Sequence, residues 1–299
     1  MFHKNVVHPL KSIPLLMRSR IEPIFIWSWC TAISCLIVGR GFPPIRQTIL
    51  ITIAMVFISA SAYLYNDIQD REMDSLNSIK KNRPLPSNII RNEDVIKIVY
   101  LFSIIGLTIT YLVNIFSFIL ALTFFILFIV YSHSKIKLKM RLFGKELTIF
   151  SGWPLCSQIA SFAVSNNFSY HALYTSILFG TFAISVMPIF VDATDIEEDI
   201  KFGVKSFSTL LEWKRKAQLM IFGVLFIMTM TPLTYILYKA SIIIPIIVVF
   251  MSLIFLKLMS PIMQKYDQVQ VLKAKRIGHI YFIVFQLLIV LSTIQLSFF

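Results

Sequence analysis

Long apolar runs, separated by short polar segments, follow one another along almost the whole chain. A helix needs about 20 apolar residues to cross a bilayer, and most of the runs have that length. No run shows the strict alternation of apolar and polar positions that indicates a half-buried strand. The pattern predicts nine membrane-spanning helices in a single domain over residues 1–299, at positions 22–39, 47–66, 95–113, 115–132, 147–164, 171–191, 217–238, 241–259 and 277–298.

The composition indicates a chain that is surrounded by lipid. Of its 299 residues, 57% are hydrophobic, only 14% are charged, and 27 are phenylalanine. A soluble domain of this size exposes much of its surface to water, and this chain has too few polar residues to cover it. We therefore expect an all-α, polytopic membrane bundle with almost no loop between the third and fourth spans, from Leu112 to Ile115.

The net charge of +13 would suit a nucleic-acid partner, but the distribution of the charge argues against one. Most of the 28 lysines and arginines lie in the N-terminal segment and in the loops after even-numbered spans, whereas the other loops hold only Arg40, Arg46 and Lys239. Because basic residues resist translocation, the basic side is predicted to face the cytoplasm or its organelle equivalent. The charge then serves topology and contact with anionic membrane lipids, and we expect no nucleic-acid partner.

The acidic residues are few and concentrated. All 15 except Glu22, Glu146 and Asp267 lie in the two segments that follow the second and the sixth span. Each segment begins with aspartates at positions i, i+3 and i+7, a spacing that aligns side chains on one face of a helix. The two triplets are Asp67, Asp70, Asp74 and Asp192, Asp195, Asp199.

Three carboxylates on one helix face repel one another, so each triplet needs a positive partner. Mg²⁺ is the natural candidate, because it prefers hard oxygen ligands and usually takes one or two carboxylates together with substrate phosphates. Two such faces on the same side of the membrane can hold two ions that are bridged by a diphosphate. Acidic residues in membrane proteins also mark ion pathways, but the aspartates here gather at one surface instead of at mid-membrane.

Cationic groups on the same side are candidates for binding a departing diphosphate. Arg83 follows the first triplet and can offer a bidentate fork to phosphate. Tyr131 and Lys135 lie at the end of the fourth span, and Lys205 follows the second triplet. Lys139 is interpreted as a determinant of topology, because cytoplasmic loops are basic in any case.

Four ordered motifs resemble those of the UbiA-type family of intramembrane prenyltransferases. The segment Asn66–Asp74 fits the family's NDxxDxxxD motif, and Asp192–Asp199 fits its second motif, DxxDxxxD. The segment Tyr131–Lys135 fits its YxxxK motif, and Asn82–Ser87 is similar to its RPLxSG stretch. The nine-helix layout of the family agrees with this chain over nearly its whole length.

Two positions depart from the family's pattern. Asn88 stands where the family usually has a glycine, and Glu22-Pro23 opens the first span where many members have Arg-Pro. Whether Arg20 takes the place of that arginine is left open by the sequence. Since neither departure touches an aspartate, the expected class of activity is unchanged, but the subfamily is not determined.

The resemblance implies a bundle around a central cavity, in a cell membrane or an organelle inner membrane, with its active-site loops on the cytoplasmic side. It implies transfer of a prenyl or polyprenyl group from an allylic isoprenoid diphosphate to a small, aromatic acceptor such as 4-hydroxybenzoate, as in quinone or lipid biosynthesis. On this hypothesis the six aspartates bind two Mg²⁺ and carry the catalysis. Asn66, Arg83, Tyr131, Lys135 and Lys205 then contribute to substrate binding.

Two alternatives stay open at this point. A terpene cyclase of the same fold would ionise the same diphosphate with the same aspartates, and no motif separates it from a transferase. An ion-coupled transporter would show inverted repeats, whereas the two aspartate triplets are parallel, since both follow even-numbered spans. The identity of the acceptor, the length of the donor chain and the oligomeric state are not determined by the sequence.

Overall fold

The structure, a computed structural model, describes residues 9–77, 80–190, 196–239 and 241–294. In these ranges the regular structure is helical and contains no strand, which confirms the expected all-α class. The helices in chain order are α1 (Pro9–Ser19), α2 (Ile21–Val38), α3 (Ile45–Gln69), α4 (Arg71–Leu76), α5 (Asn92–Val113), α6 (Ile115–Ser132), α7 (Gly144–Ser165), α8 (Tyr170–Phe190), α9 (Ile196–Lys201), α10 (Phe207–Leu210), α11 (Trp213–Met230), α12 (Leu233–Tyr238), α13 (Ile243–Gln264) and α14 (Gln268–Thr293).

Within the described ranges, nine helical segments are long and apolar enough to cross a membrane. They are α2, α3, α5, α6, α7, α8, the pair α11 and α12, α13 and α14. Their number and most of their bounds agree with the sequence prediction. The last span differs, because α14 begins at Gln268 and not near residue 277. The helix continues past the apolar stretch to Asp267, whose side chain caps it by accepting from the Gln270 N–H at 3.0 Å.

The outward faces of the spans are apolar. Large side chains such as those of Ile104, Phe222 and Phe250 are exposed on the surface of the bundle. Water does not favour so continuous an apolar surface, whereas lipid does. The chain is therefore a multi-pass membrane protein.

The turn between α5 and α6 is the single residue Asn114. Its side-chain oxygen accepts hydrogen bonds from the backbone N–H groups of Phe116, at 2.7 Å, and Ser117, at 3.1 Å. These are two of the amides that lack a partner within the first turn of a helix. The tight hairpin expected from the sequence is thereby confirmed, and one polar side chain stabilises it.

Aromatic side chains fill the region where α2, α6, α7, α8 and α14 meet. The ring centroid of Trp27 lies 5.3 Å from the ring centroid of Phe128 and 5.6 Å from that of Trp153. The ring centroid of Phe282 lies 5.3 Å from that of Trp153 and 4.9 Å from that of Phe182. In lipid, where apolar surface alone does not drive helices together, such close packing is a main source of helix association.

The ring of Trp27 packs directly against the backbone of α7 at Gly152. A β-carbon at this position would lie 2.4 Å from Cη2 of Trp27, well inside van der Waals contact. Trp27 is itself buried, so its ring has little space into which it could move. The glycine therefore fixes where one wall of the aromatic region lies.

We predict that Gly152→Ala lowers the midpoint of thermal unfolding, because the added methyl group displaces a buried ring. Overpacking of this kind costs about 1–3 kcal/mol. Differential scanning fluorimetry of the detergent-solubilised protein measures the change. Ser151→Ala, which adds no carbon atom to the same turn, is the control and keeps the wild-type midpoint. An unchanged midpoint in Gly152→Ala would mean that Trp27 has room to move.

Candidate active site

A cavity of about 640 Å³ lies inside the bundle and changes character along its length. The expected central cavity is thereby confirmed. Its charged end includes Arg20, Asp70, Asp74, Arg83, Lys139, Lys145 and Asp199. Its aromatic end includes Trp27, Tyr63, Phe128, Trp153, Phe182 and Phe282.

The first aspartate triplet spans the junction between α3 and α4. Helix α3 ends at Gln69 and α4 begins at Arg71, so Asp70 lies between them. The Asp70 N–H donates to the Asn66 carbonyl at 2.9 Å, and the Asp74 N–H donates to the Asp70 carbonyl at 2.7 Å. The helical direction therefore continues through the junction, and Asp70 and Asp74 reach the same cavity, as their spacing predicts.

Two arginines neutralise Asp67 and Asp74, both of which are buried. The Nε of Arg20 donates to Oδ1 of Asp67 at 2.7 Å, and its Nη2 lies 3.8 Å from Oδ2 of Asp74. Nη1 of Arg83 lies 2.9 Å from Oδ2 of Asp74 and 3.7 Å from Oδ1 of Asp67. The four side chains form one network in which each charge has two opposite neighbours. Arg20, whose role the sequence left open, belongs to this network.

Burial and charge act in opposite directions on these groups. Burial disfavours the charged form of Arg20, but the adjacent Asp67 and the more distant Asp74 and Asp70 outweigh it, so the pKa of the guanidinium is raised. Burial raises the pKa of Asp74, and the attraction of Arg20 and Arg83 offsets only part of that shift. The charged form of Asp74 thus gains from any additional positive charge that enters the cavity.

The carboxylate of Asp70 contacts two side chains, the distant Lys139 and the nearby Asn66. The ammonium group of Lys139 forms a salt bridge with Oδ1 of Asp70. Nδ2 of Asn66 donates to Oδ2 of Asp70 at 2.7 Å and to the Ser132 hydroxyl at 2.9 Å. Asn66 therefore holds the carboxylate in place and ties α3 to the end of α6. Tyr131, one residue earlier, also lines the cavity.

The second triplet is represented by Asp199, because Asp192 and Asp195 lie outside the described residues. Asp199 is buried in α9, and its Oδ2 lies 3.3 Å from Nζ of Lys145. The neighbouring Glu198 accepts a hydrogen bond from Asn77 and lies 3.7 Å from Nζ of Lys80. Since Asn77 and Lys80 follow the first triplet, the segments that carry the two triplets meet at the same end of the cavity.

The structure does not bring two of the expected cations to the cavity. Lys135 and Lys205 are both exposed, and neither is among the residues that line the cavity. Helix α6 ends at Ser132, so the turn that follows carries the Lys135 side chain outward. The structure therefore places both lysines outside the cavity, away from the position in which they were expected.

Lys139 and Lys145 lie where those two cations were expected. Lys139 belongs to the short 3₁₀ helix Leu138–Met140, which turns the chain back toward Asp70 and buries the lysine. Lys139, which was interpreted as a determinant of topology, therefore also contacts an aspartate of the first triplet. Lys145 lies in the first turn of α7, where no motif indicated it.

Asn88, at the position where the family usually has a glycine, has a backbone conformation that favours glycine. Its φ is +59°, in the left-handed region, where asparagine is one of the few other residues that is tolerated. Its side-chain oxygen accepts a hydrogen bond from Arg71, which also reaches Asn92 at 3.3 Å. The asparagine therefore suits this backbone conformation, and its side chain links the loop to α4.

The donor chemistry of the charged end fits Mg²⁺. Within the residues that the structure describes, no three Asp, Glu, His or Cys side chains form a cluster that would hold a metal by themselves. Mg²⁺ needs less than that, because it commonly takes one or two carboxylates and completes its shell with water and substrate phosphate. Hard carboxylate oxygens, next to cations that can turn to phosphate, suit an ion that arrives together with a phosphate-bearing substrate.

Comparison with known proteins agrees with this geometry. A family model described as the UbiA prenyltransferase family matches residues 27–285. A 4-hydroxybenzoate octaprenyltransferase from Vesicomyosocius okutanii is 26% identical over 210 residues, which cover 68% of this chain and 71% of the relative. A digeranylgeranylglyceryl phosphate synthase from Sulfurisphaera tokodaii is 37% identical over 76 residues, 25% of this chain and 27% of the relative.

Solved structures share the architecture. A structure reported for digeranylgeranylglyceryl phosphate synthase has a TM-score of 0.71 at 22% identity, covering 97% of this chain and 100% of the other. A UbiA homologue from Archaeoglobus fulgidus bound to GPP and Mg²⁺ has a TM-score of 0.66 at 16% identity, covering 92% and 99%. At these identities the likeness establishes the fold alone.

We predict that Lys139→Met weakens the binding of inorganic pyrophosphate in the presence of Mg²⁺ by at least about tenfold. Loss of one hydrogen bond to a charged group is worth about 1.5–3 kcal/mol, and about 1.4 kcal/mol is tenfold in affinity. Isothermal titration calorimetry measures the binding. The matched control is Lys135→Met, which removes a lysine from the exposed turn and leaves the affinity within about twofold of wild type. Equal losses in both variants would contradict the placement of Lys139 in the site.

Proposed function

This chain belongs to the UbiA prenyltransferase family, and from that premise we propose that it moves a prenyl or polyprenyl group from an allylic diphosphate to a small, aromatic acceptor in the membrane. The observation that carries the proposal is the single cavity in which a charged end meets an aromatic end. A diphosphate needs the first environment, and a carbocation with its hydrocarbon chain needs the second. The cavity is lined by residues of α2, α3, α4, α6, α7, α8, α9 and α14. Because these helices come from both ends of the chain, they support a single catalytic domain.

The charged end is the proposed site of the diphosphate. Asp67, Asp70, Asp74 and Asp199, together with Asp192 and Asp195 of the second motif, would hold two Mg²⁺. When bound, the metal supplies positive charge to the departing oxygen, which is worth several kcal/mol. Asn66 keeps Asp70 oriented for that purpose through its hydrogen bond of 2.7 Å.

The cations of the charged end bind the phosphate oxygens. Arg20, Arg83, Lys139 and Lys145 already lie against the aspartates, so they are positioned before the substrate arrives. As the allylic C–O bond breaks, its electron pair leaves with the diphosphate, and these groups stabilise the added negative charge. The Tyr131 side chain lines the same end and contributes to binding there.

The aromatic end is the proposed environment of the allylic cation. Rings of Trp, Tyr and Phe attract a cation that lies over their faces, by about 0.5–2 kcal/mol each. The same rings exclude water, which would otherwise trap the cation as an alcohol. Attack by a carbon or oxygen of the acceptor forms the new bond, and the acceptor releases a proton.

The relatives support two classes of acceptor. Relatives named 4-hydroxybenzoate octaprenyltransferase support an aromatic acceptor, and they match much more of this chain than the relative named digeranylgeranylglyceryl phosphate synthase does. We therefore place the aromatic acceptor first. The excess of basic residues on the same side as the charged end supports a cytoplasmic active site.

The purified protein, incubated with geranyl or farnesyl diphosphate, Mg²⁺ and a pool of candidate acceptors, tests the proposal directly. Mass spectrometry of the products is expected to show a prenylated acceptor that is absent when EDTA is added. A cyclised hydrocarbon without an acceptor would overturn transfer in favour of cyclisation. Unchanged diphosphate with every acceptor, including a glyceryl phosphate, would contradict the proposal.

We predict that Asp70→Asn lowers the rate of transfer by at least about 100-fold, because the variant loses a charged metal ligand while keeping its size. Glu72→Gln is the matched control, since Glu72 is exposed and lies between two members of the same triplet. It keeps wild-type activity. Glu72→Gln is expected to retain the wild-type thermal midpoint, and Asp70→Asn is expected to stay folded with a lower midpoint, because Lys139 loses its carboxylate partner. Near-normal activity in Asp70→Asn would contradict the assignment of Asp70 as a metal ligand.

A further inference from the structure

Glu146 is a buried acidic residue that the proposed mechanism does not use. It lies in the first turn of α7, directly after Lys145, and only 3% of its surface is exposed. Its Oε1 accepts a hydrogen bond from the backbone N–H of Phe207, the first residue of α10. A carboxylate that accepts from an N–H at the start of a helix forms a charge-assisted bond, which is roughly twice as strong as a neutral one. Glu146 therefore ties the start of α10 to α7.

A short series of hydrogen bonds connects Phe207 to Asp199, the described aspartate of the second triplet. The Val204 N–H donates to the Asp199 carbonyl at 2.8 Å, and the Thr209 hydroxyl donates to the Val204 carbonyl at 2.8 Å. The same hydroxyl accepts from the N–H of Ser206, the neighbour of Phe207, at 3.0 Å. The segment from Asp199 to Phe207 is thus one hydrogen-bonded turn. The tie at Phe207 restrains this turn back to Asp199.

The first turn of α7 contacts this turn at two points, and the two contacts respond differently to a diphosphate. Nζ of Lys145 lies 3.3 Å from Oδ2 of Asp199. On the proposed function Lys145 binds phosphate oxygens, so its contact with the Asp199 carboxylate weakens when the substrate arrives. The bond between Glu146 and the Phe207 N–H involves no metal ligand and no phosphate-binding group. It therefore persists when Lys145 changes its partner.

We propose that Glu146 is a positioning residue that holds Asp199 in the cavity when Lys145 turns from the carboxylate to a phosphate. The proposal rests on the proposed transferase function and deepens it by naming what fixes the second acidic segment. Val204, in the middle of the turn, is 5% exposed and lines the cavity, so displacement of the turn alters the wall of the site. Glu146 itself does not line the cavity, and it acts on the site through the turn that carries Asp199.

Two substitutions at position 207 isolate the hydrogen bond. Phe207→Pro removes the N–H that Glu146 accepts, and the matched control Phe207→Ala also loses the ring but keeps the N–H. Proline is well tolerated at the first position of a helix. The preceding Ser206 has φ −127° and ψ 170°, an extended conformation that suits a residue before proline. The two variants therefore differ chiefly in one hydrogen bond.

Hydrogen exchange in the detergent-solubilised, full-length protein measures the tie itself. The amides of residues 196–204 are expected to exchange at least about tenfold faster in Phe207→Pro than in Phe207→Ala, because a bond to a charged group is lost. Glu146→Met removes the carboxylate from the other side and is expected to accelerate exchange as much relative to wild type. This second variant covers the case in which Phe207→Pro fails to fold. Wild-type exchange rates in both would overturn the proposal.

Binding of Mn²⁺ separates a positioning role from a merely structural contact. Electron paramagnetic resonance counts the bound ions in the presence of a non-reactive thiolo analogue of geranyl diphosphate. Wild type and Phe207→Ala are expected to bind two ions. Phe207→Pro and Glu146→Met are expected to bind one of them unchanged and the other at least about tenfold more weakly, because Asp199 is displaced. Faster exchange together with two ions bound at wild-type affinity would contradict the positioning role.

The wild-type protein separates this proposal from the proposed function. If wild type binds two ions and the variants do so equally well, the positioning role is wrong and the transferase proposal stands. If wild type binds neither Mn²⁺ nor the analogue, the transferase proposal fails. The exchange rates then still decide whether Glu146 holds the turn at Asp199.

Discussion

The balance of charge at one end of the cavity is the constraint on which the rest of this structure depends. Asp67 and Asp74 are buried, and the removal of a carboxylate from water costs several kcal/mol unless an opposite charge compensates for it. Arg20 and Arg83 supply that compensation, and Lys139 does the same for Asp70. Because the cations come from α1–α2, the loop after α4 and the turn after α6, the ion pairs also hold these segments over the bundle.

On the proposed function, the same balance prepares the site for a metal-bound diphosphate. Each ion pair contains one group that suits a metal and one that suits a phosphate, so binding exchanges partners and buries no uncompensated charge. Beyond this layer the wall becomes aromatic within a few helical turns, from Tyr63 and Trp27 to Phe282. On the proposed function, the reacting carbon lies at this boundary, where the leaving group is stabilised on one side and water is excluded on the other.

Features that depend on local geometry could be predicted from the sequence, and features that depend on the path of the chain between helices could not. The spans and the common face of Asp70 and Asp74 follow from apolar length and helical spacing. Lys135 was expected in the site because it follows the fourth span on the basic side and fits the YxxxK motif. However, α6 ends at Ser132 and the chain turns, so Lys139 contacts Asp70 instead. The contact between Lys145 and Asp199 joins positions that are 54 residues apart, and no local signal predicts it.

The central claim is that the aspartates exchange their resident cations for metal when a diphosphate binds. Electron paramagnetic resonance with Mn²⁺ in place of Mg²⁺ tests it most directly, because free and bound Mn²⁺ give different signals. Titrated into the purified protein, Mn²⁺ is expected to bind weakly alone, and two ions are expected to bind tightly once the thiolo analogue of geranyl diphosphate is present. Tight binding of Mn²⁺ without the diphosphate, or none with it, would contradict the account.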